Sequence, residues 1–192
     1  MVEMHPLEKR YGLTAADLLS AIDQRFRARV TLEGAVAEVQ LGKHIERLRD
    51  AGTIERFESH DQDGHPDYTI WIPGGAPQGY LVECKNVRDS DEAYRDASAV
   101  VAYKVETQKT RVSQGDPASR LYSFGYFAVM AVCLGKKTND WRMFMFAVAR
   151  DLAPRAGRPD KLAVFQRVPL PTGRIEHPWY PSLETLIASR RL

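Results

Sequence analysis

The chain has 192 residues, 44% apolar and 27% charged, which suits one globular domain with a sizeable core. No apolar run is long enough to span a bilayer, and the opening stretch MVEMHPLEKR lacks an apolar signal core, so a cytoplasmic protein without a membrane span is expected. The net charge of +2 hides an asymmetry: residues 1–100 carry 12 Lys and Arg against 18 Asp and Glu, and residues 101–192 carry 15 against 7, so the basic second half fits either a polyanionic partner or a solvated surface.

In chain order, Thr14 followed by Asp17 makes a capping-box-like start, and Leu18, Leu19, Ile22 and Phe26 continue at helical spacing. A first helix is predicted over roughly 14–29. A second is predicted from Thr31 to Asp50, stopped by Gly52. Residues 59–66, SHDQDGHP, read as a polar loop. Tyr68–Ile72 and Tyr80–Val87 read as strands joined by the turn-forming PGGAPQG. Val100 to Val112 reads as a helix with Val101, Val105 and Val112 on one side. Tyr126–Leu134 and Trp141–Ala149 read as a hairpin, Leu162–Val168 as an edge strand, and Ser182 caps a last helix. The N-terminal helical extension is placed at residues 1–30 of a single domain covering 1–192. Cys84 and Cys133 lie in apolar runs and read as reduced core residues.

The charges on the first predicted hairpin need an explanation, because charged side chains are poor strand formers and costly to bury unpaired. Glu83 and Lys85 are two apart, so they share one face of their strand while Cys84 points to the other. A hairpin pairing Ile72 with Tyr80 sets Asp67 opposite Lys85 and makes Asp67 and Glu83 diagonal neighbours. Two such carboxylates suit Mg²⁺, which takes few protein ligands and keeps several waters. A lysine beside them can orient or deprotonate a water aimed at a phosphodiester.

Pro66-Asp67, a spacer, then Glu83-Cys84-Lys85 resembles the PD-(D/E)XK nuclease superfamily, the restriction-endonuclease-like fold. The resemblance covers about residues 32–134. It implies an α/β fold with a three-layer core, a mixed central sheet flanked by helices, and the motif on a central hairpin. It implies Mg²⁺, for which Mn²⁺ can substitute, held by Asp67, Glu83 and the main-chain carbonyl of Cys84. It also directs attention to a glutamate on the preceding helix. Glu38 is at helical spacing from Leu41, Ile45 and Leu48, hence on the apolar face or at its edge, with Glu46 as a fallback off the stripe. A glutamine or basic residue is often found on the following helix. Lys104, Gln108 and Arg111 fall at i, i+4 and i+7 there, with Gln108 cast to orient Glu83 or Lys85, and Lys104, Lys109 and Arg111 to hold phosphates or simply to face solvent.

Other patterns carry less. Asp61-Gln-Asp-Gly-His has its glycine in the fourth place rather than the sixth required of an EF-hand loop, and Ile72 stands where the twelfth-position glutamate belongs. The histidines show no zinc spacing, although His60 and His65 lie close before Asp67. The expectation is a Mg²⁺-dependent restriction-type DNA endonuclease, homodimeric because two strands are cut. The alternatives are a structure-selective or repair nuclease such as a Holliday-junction resolvase, an RNA nuclease, and a non-catalytic nucleic-acid-binding module.

Overall fold

The computed structural model of the chain describes residues 4–62, 64–89, 91–109 and 117–192. It divides into two compact units, Met1–Val36 and Ala37–Leu192. The first holds α1 (Pro6–Tyr11), α2 (Ala15–Asp23) and the start of α3 (Phe26–Asp50). Thr14 does cap α2, its hydroxyl accepting from the Asp17 N–H while the Asp17 carboxylate reaches back. The helix predicted over 14–29 stops at Asp23, and α3 starts at Phe26 rather than Thr31.

The second unit is mixed α/β. Six strands form one mixed sheet in the order β1 (Arg56–Ser59), β2 (Tyr68–Trp71), β3 (Tyr80–Asn86), β6 (Val129–Cys133), β7 (Phe144–Val148) and β11 (Trp179–Tyr180). Only the β3–β6 pair is parallel. One face is buried by α3, through Ala37, Leu41, Ile45 and Leu48, and by α5 (Leu183–Ala188), through Leu183 and Leu186. These meet Ile70, Val82, Cys84, Val129, Ala131 and Phe146, the alternate residues of four strands. The opposite face, with Met130, Val132, Met145 and Ala147, packs against Val105 and Val168 and against Leu162 of the short pair β8 (Pro154–Arg155) and β9 (Arg158–Leu162).

That second cover corrects the expectation of helices on both sides. Residues 99–106 form strand β5 (Ala99–Glu106), not the helix predicted over 100–112, and pair with β4 (Ala93–Asp96) and β10 (Phe165–Val168) in a three-stranded sheet. The reason is local and distant at once. Val100, Val101 and Val105 are β-branched and stiff at χ1, and β10 supplies ladder partners from Tyr103 to Glu106 some sixty residues later. The hairpin of β6 and β7 forms as predicted, with the short helix α4 (Gly135–Thr138) in its turn, and Ser182 caps α5. Among the described residues, no helix is long and apolar enough to cross a membrane.

Candidate active site

The β2–β3 hairpin pairs Tyr68 with Val82, Thr69 with Leu81 and Ile70 with Tyr80. The expected register, Ile72 opposite Tyr80, is off by two residues: the paired side chains keep their expected faces, but Asp67 lies outside the ladder and Lys85 does not stand opposite it. The wide loop explains the shift. The Trp71 indole N–H donates to the Pro77 carbonyl at 2.9 Å, and the Ala76 N–H donates to the Tyr80 hydroxyl at 3.1 Å. Gly79, at φ +74°, lies so close to β2 that a Cβ there would come within 2.7 Å of the Trp71 ring.

β2 ends at Tyr68, so β3 continues past it without that neighbour. Asp67 fills the gap. Its Oδ2 accepts from the Cys84 main-chain N–H at 2.6 Å. In a strand the N–H and C=O of one residue point to the same edge, so the Cys84 carbonyl opens toward Asp67 as well. The Cys84 thiol turns the other way, into the α3 side of the core.

Glu83 and Lys85 share the opposite face. Glu83 is 5% exposed, and its Oε1 takes both the Lys85 ammonium and the Tyr122 hydroxyl. Burial lowers the Lys85 pKa, but Glu83 and Tyr122 outweigh it and hold the ammonium protonated. Burial pushes the Asp67 carboxyl up to about 7; the Glu83 charge adds to the push, while the Cys84 N–H and Lys85 resist it. Glu38 is also raised, by partial desolvation first, with Lys85 pulling down and Glu83 and Asp61 pushing up. Glu38 therefore feels the same cluster, but its side chain is exposed at the edge of the α3 stripe rather than inward. Its main-chain carbonyl accepts from Tyr68 at 2.8 Å.

The residues predicted after β3 separate. Lys109 joins the cluster: its ammonium lies 4.1 Å from the Tyr126 ring centroid and 6.0 Å from that of Tyr122. Its backbone is fixed by two bonds to Arg120, Lys109 N–H to the Arg120 carbonyl and Arg120 Nε to the Lys109 carbonyl, both 2.9 Å. Lys104 does not join it. It stands on β5, 3.8 Å from Glu92 and 5.0 Å from the Phe165 ring. Gln108 sits on extended chain bridged to Leu121, not on a helix, so the i, i+4 relation with Lys104 is lost. Arg111 lies outside the described residues.

The contact with Glu83 expected of Gln108 is made by Tyr122, which also lies near Lys85. The sequence gives it no motif; it reads as one more aromatic before β6. His60 and His65, passed over as loop residues, stack edge-on at 4.2 Å, and His60 Nε2 is 2.8 Å from the Thr69 hydroxyl.

Among the described residues, no group of three or more His, Cys, Asp and Glu side chains is gathered to hold a metal ion. The donor set nonetheless suits a hard cation. Asp67, Glu83 and Glu38 offer only oxygen, and Asp67 and Glu38 each carry a pKa raised in part by the Glu83 charge, a repulsion that a cation would relieve. No protein-family model, no curated protein and no solved structure matches the chain.

Proposed function

We propose that the chain is a Mg²⁺-dependent DNA endonuclease with PD-(D/E)XK chemistry, its β2–β3 hairpin and α3 serving as a restriction-endonuclease-like core. The supporting observation is the convergence at the splayed end of that hairpin. Asp67 is fixed on the Cys84 amide, and the buried Glu83–Lys85 pair lies on the next strand. A structural ion pair needs no second carboxylate held nearby at a raised pKa.

In this reading Asp67, Glu83 and the Cys84 carbonyl hold the ion, and Glu38 contributes from the open edge. Bound Mg²⁺ would supply Lewis acidity at the phosphate and a more acidic water. With the ion bound, the Lys85 Nζ beside Glu83 would hold and orient the attacking water. Tyr122 keeps the Glu83 carboxylate in place through its O–H. Lys109, presented above Tyr122 and Tyr126, meets the phosphate backbone. Cutting both strands of a duplex calls for two such sites, so a two-fold homodimer belongs to this reading.

The test is incubation with plasmid, branched DNA, single-stranded DNA and RNA, with and without Mg²⁺, beside Lys85→Ala. Discrete plasmid fragments that need both metal and Lys85 are the expected result. Preference for branched DNA selects the junction-resolving alternative instead. Absence of metal-dependent cleavage of every substrate overturns the assignment.

A further inference from the structure

A cavity of about 680 Å³ opens beside the catalytic cluster, within the volume range of small-molecule sites. Thr69 and Leu81 line it. Thr69 follows Asp67 by two residues and pairs with Leu81, which precedes Glu83 by two on the same strand face, so the cavity lining begins about 6.8 Å along β3, Cα to Cα, from Glu83. A nucleotide whose phosphate rests at those carboxylates has its base within reach of the cavity.

The lining favours a flat, uncharged heterocycle. Trp71, Phe127, His60 and His65 supply aromatic surfaces; Thr69 and Gln78 supply hydrogen-bonding groups. Several of these walls are already fixed. Trp71 is bonded to the Pro77 carbonyl and has the Arg56 guanidinium 3.4 Å from its ring centroid, while His60 is tied to Thr69. Fixed walls lose little freedom on binding. The charges at the rim are not disposed to take a phosphate. Glu58 would repel it and is paired with Arg56 at 2.7 Å, and the Arg150 guanidinium donates to the Arg191 carbonyl.

We infer that this cavity is a nucleobase pocket, receiving an unstacked base next to the phosphate bound at Asp67 and Glu83. The inference rests on the nuclease reading for the position of the phosphate, but the pocket itself can be probed without cleavage. Base recognition of this kind joins aromatic stacking to a few polar contacts at the base edge.

The experiment titrates the full chain with the four deoxynucleosides, which carry no phosphate and need no metal. Tryptophan fluorescence and the His60 and His65 ring-proton resonances are the readouts. At least one nucleoside is expected to quench the fluorescence and shift both histidines. Leu81→Phe, which fills the cavity, should weaken that binding about tenfold, the size of one lost stacking contact. Gln78→Ala, a change in an exposed loop, serves as the second variant should Leu81→Phe not fold, and should weaken at least one nucleoside more than the others. The inference is overturned if no nucleoside moves the histidine signals of the wild-type chain, or if folded variants bind as wild type. Nucleoside binding without DNA cleavage would keep the pocket and remove the nuclease reading. Cleavage with an empty pocket would do the reverse.

Discussion

Along β3 the side chains alternate between two environments. Tyr80, Val82 and Cys84 enter the cluster beneath α3 and α5, whereas Leu81, Glu83 and Lys85 face the side that the small sheet covers. The helical side is the core side at Tyr80, Val82 and Cys84. The other side is apolar over β6 and β7, where Met130, Val132 and Met145 meet Val105 and Val168, and turns charged at β3. One strand thus carries the core on one face and the charged cluster on the other. The charged face is tolerated because each group is answered: Glu83 by Lys85 and Tyr122, Asp67 by the Cys84 amide.

If that division is right, the two faces should respond to mutation in different observables. Lys85→Ala should lower the single-turnover cleavage rate about 10²- to 10⁴-fold, the usual range for a proton-handling side chain, with near-ultraviolet circular dichroism unchanged. A variant that cuts at the wild-type rate would remove Lys85 from the chemistry. Leu41→Ala, on the helical face and fully buried, should cost about 2–5 kcal/mol in urea unfolding. The molecules that remain folded should cut as wild type. A rate loss in Leu41→Ala beyond the unfolded fraction would show that the faces are coupled.

The Asp67 carboxyl separates them by pH. Without divalent metal the folded state keeps its proton up to about 7, whereas an ordinary aspartate loses it near 3.8. Between those values the folded chain binds more protons than the unfolded chain, so stability falls as pH rises through the window and levels off above about 7. Asp67→Asn should flatten the profile between pH 4 and 7. Mg²⁺ at pH 8 should restore stability to the wild type alone, because an ion that binds only the folded site adds to it. Identical urea-midpoint profiles for the two proteins would deny Asp67 its raised pKa.

Two tyrosines offer a finer contrast. Tyr68 donates to the Glu38 carbonyl on the helical face, and Tyr122 donates to the Glu83 carboxylate on the other. Tyr68→Phe should cost roughly 1 kcal/mol of stability with no change in rate. Tyr122→Phe should lower the rate about tenfold with little change in DNA affinity, as expected when a carboxylate loses the donor that orients it. Equal effects of both on stability, and none on rate, would make Tyr122 a core residue like its counterpart.

How far the sequence reaches differs between the same regions. The helical face was legible, since the α3 stripe of Leu41, Ile45 and Leu48 and the alternation through Val82 and Cys84 are local patterns. The placement of Glu83 and Lys85 on one face followed from the two-residue repeat and survived a register error, because the shift was even. What lay beyond reach was set by distant pairing. Nothing near Val100–Glu106 reveals that Phe165–Val168 will form its ladder, so by local pattern the valine-rich stretch reads as a helix and gives Gln108 a helical partner it lacks. Tyr122 was hidden for the same reason. It reaches Glu83 from 39 residues away, a contact no spacing encodes.

The smallest effect concerns the two lysines once placed on one helix. Lys104 faces Glu92 at 3.8 Å on the small sheet, and Lys109 sits over Tyr126 and near Tyr122, which bonds Glu83. A lysine that neutralises a phosphate releases a condensed counterion, and losing it should flatten the slope of log K against log salt by about 0.9 for duplex DNA. Lys109→Ala should therefore weaken binding to all sequences alike, with a deficit that shrinks as salt rises. Lys104→Ala should leave the slope as it is, because that ammonium is matched by a carboxylate within the chain. Fluorescence anisotropy across several salt concentrations reads both slopes directly. If Lys104 changes the slope and Lys109 does not, DNA lies against the small sheet rather than the Asp67–Glu83 end of the hairpin. Both the phosphate path and the reach of the base pocket would then have to be redrawn.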